Sequence, residues 1–143
     1  MIVEEITTTS QDETIALGER FAKRLNQGDC VALTGQLGSG KTVFVRGLAR
    51  GLGVADDRIV CSPTFVLVRQ YEGKIRLYHI DLYRLNDAPA EIEHLGLEEM
   101  LDDGIVVIEW ADKANDALPR PYWQIEIIPT GLTTRKFIVK RIE

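Results

Sequence analysis

Cysteine is scarce in this chain of 143 residues, which has only Cys30 and Cys61. They sit far apart, with no His or Cys at ligand spacing, so neither a metal site nor a redox pair is indicated. Both are read as buried thiols in a reducing compartment. Long apolar runs are missing as well. None approaches the ~20 residues that span a bilayer, so no membrane association is expected. Basic charge is also in deficit. Lys and Arg number 17 against 22 Asp and Glu, a net charge of -5. Phosphate contacts need clustered Lys and Arg, so a standing nucleic-acid surface is not expected, although a partner protein could supply one. The N-terminal stretch MIVEEITTTSQDE is acidic and lacks the apolar centre of a secretory signal, which makes a cytoplasmic location the expectation. Repeats, low-complexity tracts and long linkers are absent too. The length then fits one domain, residues 1–143, able to bury about two-thirds of its unfolded surface.

What is present reads as alternating helices and apolar strands. Ser10 followed by Glu13 forms a capping-box pattern and opens a helix through about Asn26, with Ile15, Phe21, Ala22 and Leu25 on its apolar stripe. Gly28 ends it. Asp29 to Thr34 reads as a short buried strand, followed by a glycine loop and a helix from Lys41 to Leu52 stopped by Gly53. Thr64 to Arg69, a turn at Glu72-Gly73, and Lys74 to Asp81 form a hairpin signal. A helical stretch begins at Pro89 and is broken near Gly96. Ile105 to Trp110 is a central-strand candidate, and Tyr122–Ile128 and Lys136–Ile142 are two late strands. Helices between apolar strands predict an α/β fold. The hairpins predict a mixed, mainly parallel sheet flanked by helices.

The stretch TGQLGSGKT carries the strongest signal. Gly35, Gly40, Lys41 and Thr42 fill the four fixed slots of G-x-x-x-x-G-K-[ST]. A chance match in a chain of this length is on the order of 1%. The loop also follows a predicted strand and opens a predicted helix, which is the setting this motif requires. Glycines let successive backbone N–H groups approach phosphates closely, and the helix N-terminus adds a positive dipole end. Lys41 is placed to reach the β- and γ-phosphates and Thr42 to bind Mg²⁺ through its hydroxyl. The plainer alternative is a glycine-rich turn before a helix.

A phosphate loop alone only binds; turnover needs a further acid and something to place the attacking water. Glu109 ends the strand IVVIE, where a Walker-B-type carboxylate would sit; otherwise it is an edge carboxylate in solvent. Asp81 ends the strand in HIDLYR and either reaches the metal or water, or caps a turn. His79 alternates with Asp81, so both face one side of a strand, and a structural or a functional role is equally open. The hydroxyls of Ser62 and Thr64 in CSPT either sense a γ-phosphate or close a proline turn. Taken alone, Trp110 reads as core packing.

Together these pieces resemble one family, the small bacterial P-loop ATPases called TsaE or YjeE. The resemblance rests on GQLGSGKT with VFVRG after it, SPTFVLV, YHIDLYRL, EHLGLEEML and VIEW, in family order across Asp29 to Trp110. It implies a P-loop NTPase-like fold and ATP with Mg²⁺ as cofactors. It implies nucleotide contacts from the loop Gly35, Gln36, Leu37, Gly38, Ser39, Gly40, Lys41, Thr42 and Val43, with Trp110 near the nucleotide and Arg135 as a basic residue beside it. Asp81 and Glu109 become catalytic and metal-linked carboxylates, with Thr42 as the third metal-linked group, and Thr64 takes the switch position. The resemblance further implies an accessory role in making threonylcarbamoyladenosine on transfer RNA. In that role ATP hydrolysis resets the paired proteins TsaD and TsaB, and transfer RNA is met only through them.

Two positions depart from the family pattern. Gln36 stands where an acid is common, and Val43 where a second hydroxyl is common. Val43 keeps a backbone N–H but cannot donate a hydroxyl to the α-phosphate, so weaker nucleotide binding is expected, and the affinity of a Val43→Thr variant tests this. Three rival readings remain at this level. A small-molecule kinase needs an acceptor pocket and an arginine-bearing lid, for which little sequence is left. A GTPase needs an N-K-x-D loop, which ADKAND does not fit. A nucleotide-loaded scaffold needs no carboxylates, yet two are supplied.

Overall fold

The computed structural model describes residues 2–36, 38–56, 58, 60, 68–83, 88–114 and 117–143. Its elements run β1 (Ile2–Thr8), α1 (Gln11–Ala22), β2 (Cys30–Gly35), α2 (Lys41–Gly51), β3 (Val68–Tyr71), β4 (Arg76–Asp81), α3 (Ala88–Leu95), α4 (Leu97–Asp103), β5 (Gly104–Glu109), a 3-10 turn (Ala111–Lys113), β6 (Tyr122–Pro129) and β7 (Arg135–Ile142). One sheet takes all seven strands in the order β1-β7-β6-β2-β5-β4-β3. The four central strands β6, β2, β5 and β4 are mutually parallel, while β7, β1 and β3 join antiparallel at the edges. This is the mixed α/β sheet, parallel at its centre and flanked by helices, that the element pattern predicts.

Strands β2 and β5 are buried on both faces over CVAL and IVVI, which is why these read as continuous apolar runs. One face carries α1 and α2. There Phe44, Val45 and Leu48 pack with Leu33, Val107 and Phe137. Burying Phe44, at 1% exposure, contributes about 2–3 kcal/mol. The opposite face carries α3, α4 and the 3-10 turn, with Ile92, Leu97 and Ala111 packed among Ala32, Ile80, Val106 and Ile108.

Local signals explain most boundaries. Ser10 Oγ accepts from Glu13 N at 3.1 Å, as the capping pattern requires. Glu13 reaches back one residue further than a capping box does, accepting from the backbone N and hydroxyl of Thr9. α1 stops at Ala22, four residues before its predicted end; Arg24 and Leu25 instead close single turns onto Phe21 and Ala22. Gly96, left-handed at φ 75°, divides α3 from α4 as expected. Strand β1 was not foreseen. Its acidic residues mask the alternation of an edge strand that pairs only with β7. Of the predicted strand Thr64–Arg69, residues 64–67 lie outside the described residues, and β3 begins at Val68.

Candidate phosphate-loop site

Three parallel strands end side by side where the site forms. Gly35 ends β2, Glu109 ends β5 and Asp81 ends β4, with Leu33 opposite Glu109 and Asp81 opposite Glu109 in register. The carboxyl edge of a parallel sheet is where α/β folds place ligands. Between Gly35 and α2 the chain turns through three positive-φ glycines, Gly35 (151°), Gly38 (77°) and Gly40 (106°). At Gly35 only a hydrogen fits: a Cβ would lie 2.7 Å from the Ile127 carbonyl and 2.8 Å from Ser39 Oγ.

The start of α2 differs from the start of α1. Gly40 offers no side-chain cap, and the first turn holds no acid. Backbone N–H groups at an uncapped helix start suit an anion. Ser39 Oγ is fully buried in this loop and meets no partner among the described residues. A buried hydroxyl without a partner is costly, and an acceptor oxygen entering the loop would satisfy it. These features fit a phosphate chain.

Lys41, only 5% exposed, points its Nζ at the carbonyls of Gly35 (2.7 Å) and Gln36 (2.9 Å). The ammonium also lies 4.0 Å above the Trp110 ring centre, a cation–π distance. Burial pushes the Lys41 pKa down, and the carboxylates of Glu109, Asp81 and Asp112 partly oppose this. Trp110 is the one described non-glycine residue at positive φ, 59°, and its ring packs on Tyr83 at 4.8 Å between centres. The indole packs against the core cluster on this face and also meets the lysine, so core packing is part of its role but does not describe all of it.

Thr42 Oγ1 donates toward the Glu109 carboxylate, 3.2 Å from Oε2 and 3.4 Å from Oε1. Glu109 is 3% exposed, which excludes an edge carboxylate in solvent. A hydroxyl and a carboxylate are hard oxygen donors, the set suited to Mg²⁺. Among the described residues no three His, Cys, Asp or Glu side chains gather into a metal cage. Mg²⁺ usually takes only one or two protein oxygens and completes its shell with phosphates and water, so the donors fit it. Asp81 is buried beside this pair, and its Oδ1 accepts from Tyr83 N at 2.9 Å, the turn-capping bond foreseen for it. Both roles considered for Asp81 are thus compatible with its position.

Arg135 braces the loop from β7. Its Nε donates to the Ser39 carbonyl at 2.8 Å, and NH2 lies 3.4 Å from the Gly38 carbonyl. Its NH1 ties down the β6–β7 turn through the carbonyls of Gly131 and Thr134. Two hollows flank the loop. One of about 310 Å³ is lined by Ser10, Gly38, Gly40, Val43 and Arg135. The other, about 560 Å³, is lined by Gly35, Gln36, Trp110, Asp112 and Lys140. Leu37 and Thr64 lie outside the described residues.

Sequence reasoning left His79 undecided. The structure buries it completely, with Nε2 hydrogen-bonded to Glu109 Oε2 and Nδ1 3.2 Å from the Tyr71 hydroxyl. Its alternation with Asp81 was the available signal. Cys30 is a buried free thiol as expected. Burial, with a smaller contribution from Asp29, pushes its pKa up to about 12 and leaves it unreactive.

Comparison with known proteins adds a family to this geometry. The family described as "Threonylcarbamoyl adenosine biosynthesis protein TsaE" matches residues 8–137. The chain belongs to the TsaE family. It is 41% identical over 126 residues to the tRNA threonylcarbamoyladenosine biosynthesis protein TsaE of Bacillus subtilis (strain 168), covering 87% of this chain and 77% of that protein. Against the TsaE of Aquifex aeolicus (strain VF5) identity is 38% over 113 residues, covering 78% of this chain and 80% of the relative. The crystal structure of Bacillus subtilis YdiB superposes with a TM-score of 0.83 at 32% identity, covering all of this chain and 88% of that one. The family is one of transfer-RNA threonylcarbamoyladenosine biosynthesis, which agrees with the resemblance read from the motifs. Among the described residues no helix is long and apolar enough to cross a membrane.

Proposed function

We propose that this chain binds ATP with Mg²⁺ in the loop Gly35–Val43 and hydrolyses it in the cytoplasm, as an accessory ATPase that drives turnover of the TsaD–TsaB complex. Transfer RNA is met only through that complex. One observation carries the reading: at an uncapped helix start, beside the buried Lys41, the Thr42 hydroxyl lies 3.2 Å from the buried Glu109 carboxylate.

Each residue then has a task. The loop N–H groups and Ser39 receive phosphate oxygens, and Lys41 neutralises their charge. Thr42 and Glu109, with Asp81 beside them, are the residues that would hold Mg²⁺, which when bound offsets charge on the transferred phosphoryl group. Asp81 and Glu109 are also the two carboxylates positioned to orient the attacking water. That water's oxygen bonds the γ-phosphorus as the bond to the β–γ bridging oxygen breaks, giving ADP and inorganic phosphate, with the proton leaving toward a carboxylate or solvent. Trp110 stacks over Lys41 and shields it from water. Thr64 takes the γ-phosphate-sensing position.

The role of the two acids is checked by single-turnover hydrolysis in the complex with TsaD and TsaB. Glu109→Ala and Asp81→Ala are each expected to slow the chemical step, on the order of 10²-fold or more. Wild-type rates in both variants would remove the carboxylates from the mechanism.

A further inference from the structure

Glu109 is held from behind as well as faced from in front. Behind it stands His79 on β4, and behind His79 stands Tyr71 on β3. The register explains the line-up. Tyr71 pairs with Leu77, His79 with Val107 and Asp81 with Glu109. Tyr71, His79 and Glu109 therefore occupy one face of three neighbouring strands, each two residues further along than the last. The diagonal ends at Thr42 on α2, giving a continuous chain Tyr71–His79–Glu109–Thr42 across the sheet.

An imidazole at 0% exposure sits here in the same face as the aliphatic side chains of Leu77 and Val107. Packing alone would favour another aliphatic residue, since a buried ring needs partners for both nitrogens. Both partners are present. An ionised carboxylate can only accept, so in this pair Nε2 carries the proton, and the Tyr71 hydroxyl meets the remaining nitrogen. With both nitrogens engaged the ring cannot turn, and the carboxylate it holds keeps one orientation. Supports of this kind behind a metal-linked carboxylate set its direction and its readiness.

We infer that His79 is a positioning residue, locked by Tyr71, that holds the Glu109 carboxylate turned toward Thr42 and the phosphate loop. This rests on the hydrolytic reading above. His79 and Tyr71 touch no nucleotide themselves; they act through Glu109.

The test uses the full chain with TsaD and TsaB and compares His79→Leu, His79→Gln, Tyr71→Phe and the control Lys41→Ala. His79→Leu is expected to lower kcat about 10–100-fold while KM for ATP stays unchanged. His79→Gln, which keeps a nitrogen donor, recovers part of the loss, and Tyr71→Phe shows a smaller loss in the same direction. A second readout needs no turnover. In the nucleotide-free chain, proton NMR should show a protected downfield His79 imidazole N–H that shifts in Glu109→Gln and in Tyr71→Phe. Wild-type kcat in His79→Leu with Lys41→Ala inactive overturns the positioning role and leaves the hydrolytic reading intact. Hydrolysis that survives Lys41→Ala overturns the reading itself and the role of His79 with it. If His79→Leu does not fold, Tyr71→Phe decides: unchanged kcat and an unmoved imidazole signal overturn the inference.

Discussion

At the scale of single residues, the site depends on what each polar group meets. Arg135 shows how two roles can be separated. Its guanidinium donates to two carbonyls of the phosphate loop and to the turn behind it, a fork of bonds that a lysine cannot reproduce. If it braces the loop, Arg135→Ala and Arg135→Lys both weaken nucleotide binding, by roughly tenfold for a lost charged hydrogen bond. If it acts mainly as a charge beside phosphate, Lys restores affinity. Bracing is the expected outcome, and equilibrium titration with ATP and Mg²⁺ distinguishes the two. The sequence reveals some of this scale and hides the rest. The places of Lys41 and Thr42 are legible because the motif's members are neighbours along the chain, at the start of α2. Glu109 is legible because an acid closing an apolar strand is conspicuous. The hold of His79 on Glu109 is not, because 30 residues separate them and only the register of β4 against β5 brings them together. The place of Trp110 over Lys41 likewise depends on one positive φ that no composition signals.

At the scale of elements, the loop is presented by α2, and α2 is seated by α1. The two helices cross at glycines. A Cβ on Gly47 would lie 2.2 Å from the Ile15 carbonyl and 2.9 Å from Gly18 Cα, and one on Gly18 would lie 2.5 Å from the Phe44 carbonyl. These obstacles are backbone atoms that cannot rotate away. Gly47→Ala gains about 1 kcal/mol in helix propensity. Forcing the helices apart costs more, so a net loss on the order of 1–3 kcal/mol is expected, read as a lowered melting temperature in thermal unfolding. A Gly47→Ala protein as stable as the wild type would show that the crossing tolerates more space. The capping pattern and apolar stripe made α1 legible and the glycine loop with its Gly53 stop made α2 legible, but their glycine crossing was not, since a glycine inside a helix pattern reads only as a weak spot. Strand β1 was missed for a related reason. An edge strand buries one face and pairs on one side, and the glutamates at positions 4 and 5 leave little apolar alternation to read.

At the scale of the whole molecule, the sheet does two things at once. Its parallel centre aligns Gly35, Glu109 and Asp81 at one edge, and its antiparallel flanks carry Arg135 to the loop from one side and Tyr71 to His79 from the other. Alternating helices and strands made the layered architecture legible, whereas the strand order that brings β7 beside the loop is set by long-range pairing. The central claim is that this arrangement powers a partner's cycle. The measurement that tests it most directly is ATP hydrolysis by the chain alone, then with TsaD–TsaB added, with Lys41→Ala run alongside. The account predicts a slow basal rate that rises sharply with the paired proteins and is lost in Lys41→Ala. A substantial rate that ignores the partners, or one that survives Lys41→Ala, would contradict it.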